Sequence, residues 1–260
     1  MQIATWNINS LTVRLPQVLD WLAANPVDAL CLQELKLSDD KFPLQELAAA
    51  GYLSAVFGQK TYNGVAILSR TPVRDVVKNI VGFADEQSRV IAATLDTPAG
   101  EIRIVNGYFV NGQAPGTDKF AYKMNWLEGL RTSMRSELAE HKNLVLLGDF
   151  NITADDRDTH DPEGLRETIH HTTEERDFFK ALLGLGLTDS FRMFEQAEKS
   201  YSWWDYREFG FRRNRGLRID HILVSDALKP MVQSCIIDKL PRKNERPSDH
   251  TPVIVTLELT

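Results

Sequence analysis

Two periodicities divide this chain. Residues 3–8, 28–33, 64–69, 73–80, 90–95, 101–110, 143–147, 217–224, 232–238 and 252–259 are short apolar or alternating runs, and they predict strands. Leu15, Val18, Leu19 and Leu22 recur at the spacing of one helix face; Ser10 stands where it can cap that helix, and Pro16 is placed in its first turn. Residues 43–50 read as a helix stopped by Gly51, residues 117–140 as the longest helix, and residues 174–183 as a helix ended by Gly184. No linker rich in Gly, Pro or Ser interrupts the series. Ile67-Leu68-Ser69 resembles Ile222-Leu223-Val224-Ser225, a faint hint of two similar halves. The least patterned piece, residues 153–167, carries Asp155, Asp156, Asp158, Asp161 and Glu163. It is expected to be a solvated loop, because its spacing does not fit a calcium-binding loop. With roughly ten strands and four helices, the pattern predicts an α/β fold of packed mixed sheets with helices outside, in one domain over residues 1–260.

Composition narrows the classes. Hydrophobic residues at 43% and charged residues at 25% exclude a disordered or collagen-like chain. No apolar run is long enough for a membrane span. The first residues lack the basic start and apolar stretch of a secretory signal, and the only cysteines are Cys31 and Cys235; both point to a cytoplasmic protein. A net charge of −6 argues against a protein that coats nucleic acid by bulk electrostatics. It leaves room for a local basic surface and a metal ion.

Candidate chemistry collects where strands end. Asn7, Glu34, Tyr108 (with Asn111 beyond it), and Asp149 with Asn151 follow four predicted strands. Asp220 lies early in a fifth, and Asp249 and His250 just precede a sixth. In a mixed sheet the exit of one strand lies beside the entry of an antiparallel neighbour, so four exits and two entries can share one edge. Such an edge would gather hard oxygen ligands and one imidazole without a thiol. That set suits Mg²⁺ or Mn²⁺ rather than zinc, and metal-assisted hydrolysis of a phosphoester. Any one of these residues alone is more simply a turn residue, a cap or a satisfied core histidine. Six coincidences of the right residue types favour a site. His221 should face the opposite side of its strand and is read as structural; His141 and His160 carry no signal.

Several segments also resemble exonuclease III-type DNA repair nucleases of the endonuclease/exonuclease/phosphatase superfamily. They are Trp6-Asn7-Ile8-Asn9-Ser10, Leu32-Gln33-Glu34-Leu35-Lys36, Tyr62-Asn63-Gly64-Val65-Ala66-Ile67, Asn106-Gly107-Tyr108, Gly148-Asp149-Phe150-Asn151-Ile152, Gly216-Leu217-Arg218-Ile219-Asp220 and Pro247-Ser248-Asp249-His250-Thr251-Pro252-Val253. The resemblance runs the length of the chain. It implies a four-layer α/β sandwich of two packed mixed β-sheets flanked by helices. It also implies roles: Glu34 as main metal ligand with Asn7 and Asp249 in the metal shell, and Asp149 orienting or deprotonating the attacking water with Asn151 beside it. His250, oriented by Asp220, would hold the scissile phosphate, and Tyr108 and Asn111 would contact the same phosphate.

Residues 203–218 interleave Trp203, Trp204, Tyr206, Phe209 and Phe211 with Arg207, Arg212, Arg213, Arg215 and Arg218, a composition that suits phosphate contact and stacking. Arg212 and Arg213 are taken as DNA contacts. Trp203 and Leu217 match the apolar pocket that receives a damaged sugar in the resembled family. Relatives that cut internal abasic sites tend to carry Gly or Ser where His170 stands here, and an imidazole there would narrow the pocket against a flipped-out internal sugar. The expectation is a Mg²⁺-dependent, monomeric nuclease acting on DNA 3′ ends. The alternatives weighed are an endonuclease for internal abasic sites, a phosphatase for lipid or inositol phosphates, and a non-catalytic DNA-binding protein.

Overall fold

The structure, a computed structural model, describes residues 1–259. Its strands are β1 (Gln2–Asn7), β2 (Ala29–Gln33), β3 (Leu53–Phe57), β4 (Val65–Ser69), β5 (Val73–Lys78), β6 (Val90–Thr97), β7 (Gly100–Tyr108), β8 (Leu144–Asp149), β9 (Leu187–Asp189), β10 (Trp203–Trp204), β11 (Gly216–Leu217), β12 (Asp220–Ser225), β13 (Val232–Ile237) and β14 (Val253–Leu257). Its α-helices are α1 (Leu11–Ala24), α2 (Leu44–Ala49), α3 (Asp118–Glu140) and α4 (Thr173–Leu183). One six-stranded sheet has the order β13-β14-β1-β2-β4-β3 and the other β5-β6-β7-β8-β12-β9; β10 and β11 form a separate hairpin-like pair.

The two large sheets repeat one plan. In each, a single parallel pair (β1 with β2, β7 with β8) is flanked by antiparallel strands. A parallel pair needs a crossover, and α1 and α3 supply it. β4 and β12 then occupy equivalent places, which gives the likeness between residues 67–69 and 222–225 a structural basis.

Alternation within each strand builds the layers. Ile3, Cys31, Ile67, Ile104, Val145, Leu147, Ile222 and Val255 point between the sheets and form one core. Their neighbours Ala4, Trp6, Leu30, Leu32 and Leu68 pack on Val18 and Leu22 of α1. Leu144, Leu146 and Leu223 pack on Trp126, Leu130 and Met134 of α3 and on Phe178, Phe179 and Leu182 of α4. Central strands covered on both faces read as continuous apolar runs, which is why they were legible in the sequence. The four-layer sandwich is the architecture expected. No helix among the described residues is long and apolar enough to cross a membrane.

The structure differs from expectation at several points. Ser10 precedes α1, but its side chain makes no cap and its φ is 85°. Pro16 is the sixth residue of α1 rather than part of its first turn, on an exposed face where the missing N–H costs least. β3, β9 and β10 were not anticipated, being an edge strand or only two or three residues long. The predicted strand over residues 217–224 is broken between β11 and β12, and the residues at the break are Arg218 and Ile219.

That break and the acidic segment explain each other. Asp158 is fully buried rather than solvated, and Arg218 beside it is 1% exposed. Arg218 places Nε 2.7 Å from Asp158 Oδ1 and Nη2 2.7 Å from Asp189 Oδ2, while Arg192 also reaches Asp158. Arg218 therefore anchors residues 153–167 to the sheet and is not part of a DNA surface. Burial works against the Asp158 charge, but the Arg218 guanidinium outweighs it and holds the carboxyl well below the usual carboxylate range. Asp158→Asn strands buried positive charge and is expected to cost about 3–5 kcal/mol in denaturant unfolding. Because its folded pKa is depressed, the Asp158 contribution is complete above about pH 4 and disappears as pH falls further. The acid limb of the stability profile should therefore be shallower in Asp158→Asn than in the wild type.

Candidate active site

The exits of both parallel pairs meet face to face. β8 pairs Asp149 with Tyr108 of β7 on one side and with Asp220 of β12 on the other. Asn7 ends β1 next to Gln33 of β2, and Glu34 follows. Gly148 lets β7 and β8 come this close: its φ is +137°, and a Cβ there would lie 1.9 Å from Gly107 O. The two sheets are tied just below the edge. Gln33 Nε2 donates to Thr5 Oγ1 and to Asn106 Oδ1, and Asn106 Nδ2 donates to the carbonyls of Leu32 and Ala66.

Asp149, Asp220 and His250 form a buried cluster whose ligand atoms lie within 4.8 Å of one another. His250 Nδ1 is 2.9 Å from Asp220 Oδ2, and His250 Nε2 is 3.6 Å from Asp149 Oδ2. Burial by itself pulls the His250 ring toward neutrality; the carboxylates of Asp220 and Asp149 outweigh it, and the net shift is upward. The ring is thus a cation at neutral pH. Asp149 is pushed up by burial and held back by the His250 charge. It also accepts Asn7 Nδ2 at 2.9 Å and the Asn151 N–H at 3.0 Å. Ser202, which carried no sequence signal, completes the cluster by donating to Asp220 Oδ2 at 2.6 Å.

Glu34 lies opposite, in a left-handed conformation at φ 55°. Strain at such a residue is held by its surroundings: Ser10 N–H donates to its carbonyl at 2.8 Å, and Lys36 Nζ is 3.2 Å from its carboxylate. Tyr108 Oη donates to Glu34. Burial and the Glu34 charge push the Tyr108 phenol up, so it remains a donor. Both oxygens of Asp249 are engaged, by Asn9 Nδ2 at 2.9 Å and Trp203 Nε1 at 3.0 Å. Burial opposes its charge, yet the His250 cation and these donors hold it below the usual range. Asn9 also receives Lys36 Nζ at 2.6 Å, which links Asp249 to Glu34. The donors facing this edge are carboxylate and amide oxygens, while both thiols are buried in the sheet core. Such a set fits a hard divalent cation, with Glu34 and Asp249 partly exposed and Asp149 and Asp220 buried.

A cavity of about 690 Å³ opens beside the cluster, lined among others by Asn111, His160, His170, Trp203, Arg215 and Leu217. Trp203 pairs with Leu217 across β10 and β11 and bridges to His250. Asn111 Nδ2 lies 3.3 Å from Asn151 Oδ1, and Asn151 Nδ2 donates to Phe109 O. His170 Nδ1 lies 2.7 Å from Asn151 O. A carbonyl only accepts, so Nδ1 carries the proton. Burial, reinforced by Lys123, keeps the ring neutral by lowering its pKa. His160, which gave no signal in the sequence, also lines this cavity. Arg207 and Arg215 line it as well, whereas Arg212 and Arg213 do not; all four are exposed. His221 faces away, as expected, donating to Ile152 O at 2.8 Å between Phe150 and Phe179.

A family model described as "Endonuclease/Exonuclease/phosphatase family" matches residues 4–250. The chain belongs to that family. It is 34% identical to an exodeoxyribonuclease III of Haemophilus influenzae, over 97% of this chain and 98% of that one. A solved 3′-5′ exonuclease, NExo, from Neisseria meningitidis is 49% identical, with a TM-score of 0.95 over 99% of this chain and 100% of that one. An AP endonuclease from Archaeoglobus fulgidus is 32% identical, with a TM-score of 0.93 over 99% of each chain. Family membership together with the acid–imidazole cluster makes this chain a nuclease-type hydrolase.

If Asp220 acts only through His250, Asp220→Asn should lower kcat about a thousandfold, and adding it to His250→Ala should cost little more, because the two work as a unit. Fully additive losses would separate them. Ser202→Ala removes the bond to Asp220 and two acceptances, from the Ile219 N–H at 3.2 Å and the Asp220 N–H at 3.1 Å, so it should slow turnover about tenfold and cost about 1–3 kcal/mol of stability.

Proposed function

We propose that the chain is a single-domain DNA repair nuclease that hydrolyses the phosphodiester at 3′ ends, as a 3′-5′ exonuclease and 3′-phosphodiesterase, with Mg²⁺ or Mn²⁺ as cofactor. The observation that carries the 3′-end preference is the position of His170, on the wall of the cavity that also contains Trp203 and Leu217. An internal abasic sugar must flip fully into that cavity, and a ring on its wall opposes it; a terminal nucleotide is already frayed and needs less room. The 49% identity to a protein described as a 3′-5′ exonuclease supports the same reading.

In this reading Glu34 is the main metal ligand, with Asn7 and Asp249 beside it. The cation supplies Lewis-acid stabilisation of charge developing on the phosphate oxygens. Asp149, with Asn151 next to it, orients the attacking water and takes its proton. The His250 cation, held by Asp220, lies against the scissile phosphate and offsets its added charge. Tyr108 and Asn111 donate to the same phosphate. The substrate is duplex DNA with a 3′ end, approached across Arg207 and Arg215 as well as Arg212 and Arg213, and the enzyme works as a cytoplasmic monomer.

The decisive measurement is the ratio of 3′-blocked-end removal to internal abasic cleavage on matched duplexes at fixed Mg²⁺. The wild type should favour 3′ ends, and His170→Gly should raise internal cleavage about tenfold while leaving 3′-end removal nearly unchanged. Equal wild-type rates, or a ratio that His170→Gly does not move, would favour an abasic endonuclease. EDTA should abolish both activities, and a folded Glu34→Ala should lose about a thousandfold or more.

Neutralising Arg207 and Arg215 should lower the salt dependence of DNA binding by about one unit of slope per lost phosphate contact. Binding and slope that stay unchanged would make the cavity arginines passive.

A further inference from the structure

Lys123 is a fully buried ammonium on α3, and Glu175 a fully buried carboxylate in the first turn of α4. Neither lines the cavity. Their hydrogen bonds go mainly to backbone. Lys123 Nζ donates to Asn151 O at 2.8 Å, to Asn111 O at 3.2 Å and to Glu175 Oε1, which uses all three of its protons. Glu175 Oε1 also accepts the His170 N–H at 3.2 Å. Its other oxygen accepts Thr172 N–H at 3.1 Å and Thr172 Oγ1 at 2.8 Å, completing a capping box for α4. A helix cap needs only that second oxygen. The first is committed to the loop that carries His170.

The surroundings are shaped around this pair. Gly112, next to Asn111, has φ +86°, and a Cβ there would lie 2.8 Å from Lys123 Cδ. His170 itself is held at φ 71°, with its carbonyl accepting Thr153 N–H at 2.9 Å. A buried ion pair gives little net stability over an apolar pair of similar volume. Here its charges fix the backbone of three segments that each present a side chain to the site.

We propose that the Lys123–Glu175 pair is a positioning device that sets His170, Asn111 and Asn151 from beneath, and so sets both turnover and 3′-end selectivity. The selectivity half rests on the reading of His170 given above.

The test compares Lys123→Met/Glu175→Gln, which removes both charges at similar volume, with the swap Lys123→Glu/Glu175→Lys. The swap keeps an ion pair but turns a carboxylate toward two carbonyls. Melting temperature, kcat and KM on a 3′-blocked duplex, and the ratio to internal abasic cleavage are measured with and without His170→Gly. In the folded neutral variant kcat should fall at least about tenfold while KM changes less than about threefold. The 3′-end ratio should fall at least about fivefold, and His170→Gly should then add less than about twofold, since the pair already acts through that residue. Unchanged kcat and ratio in the folded neutral variant overturn the proposal, as does recovery of wild-type kcat in the swap. If His170→Gly alone leaves the ratio unmoved, the His170 reading falls, while the kcat loss still reports the positioning of Asn111 and Asn151. Should the double variants not fold, Glu175→Asp, which keeps the charge on Lys123 compensated but shortens the reach of the carboxylate, is read by the same rates and by exchange of the His170 amide. That exchange should rise at least about tenfold relative to global unfolding, and an unchanged rate overturns the proposal.

Discussion

β8 pairs in parallel with β7 and antiparallel with β12, in a register that sets Tyr108, Asp149 and Asp220 side by side at one end. Side chains alternate along a strand, so a slip of one residue would turn Asp149 into the face that packs on α3 and bring Gly148 to the site. The close approach at Gly148 pins this register, because any side chain there would collide with β7. The placing of Asp149 beside Asp220 follows from that pairing, and His250 reaches them from the segment before β14 in the other sheet. The same plan in the other sheet delivers Asn7 and Glu34 to the opposing edge, and the Gln33–Asn106 bridge keeps the two edges at contact distance.

Three groups of buried charge serve different ends. The Asp158–Arg218–Asp189 group is structural: it anchors a long acidic segment that has little apolar surface of its own. The Asp149–Asp220–His250 group is chemical. Two carboxylates flank one imidazole and raise its affinity for a proton; in the proposed function that charge offsets the one the phosphate gains. The Lys123–Glu175 group lies one layer further out and touches mostly backbone. Charge that a core would ordinarily exclude is thus kept where it either holds a loop or faces the reacting bond.

The cavity is joined to this cluster through its walls. Its Trp203 wall is tied by the indole N–H to Asp249, next to His250, so the cluster and the pocket share one rigid corner. His170 closes the other side through Asn151, which also donates to Asp149. A change of shape in the pocket is therefore passed through Asn151 to Asp149, the carboxylate that the proposed function assigns to the attacking water.

The sequence by itself determined the layered fold, because central strands buried on both faces must be apolar throughout and helices must show a one-sided stripe. It also determined which residue types gather at strand ends, since Asn7, Glu34, Tyr108, Asp149, Asp220 and His250 each interrupt or bound an apolar run. Tertiary structure alone decided who pairs with whom. Arg218 and Arg207 look alike in a basic, aromatic stretch, yet one is locked inside with Asp158 and Asp189 and the other faces the cavity. Ser202, His160 and Lys123 had no local mark; the Thr172–Glu175 spacing was a readable cap signal, but it could not reveal that the other carboxylate oxygen binds Lys123 and the His170 N–H. Local pattern reports burial and period, which are properties of a segment. Ion pairs and loop contacts between residues 20 to 60 positions apart depend on sheet register and crossover path, which no single segment contains.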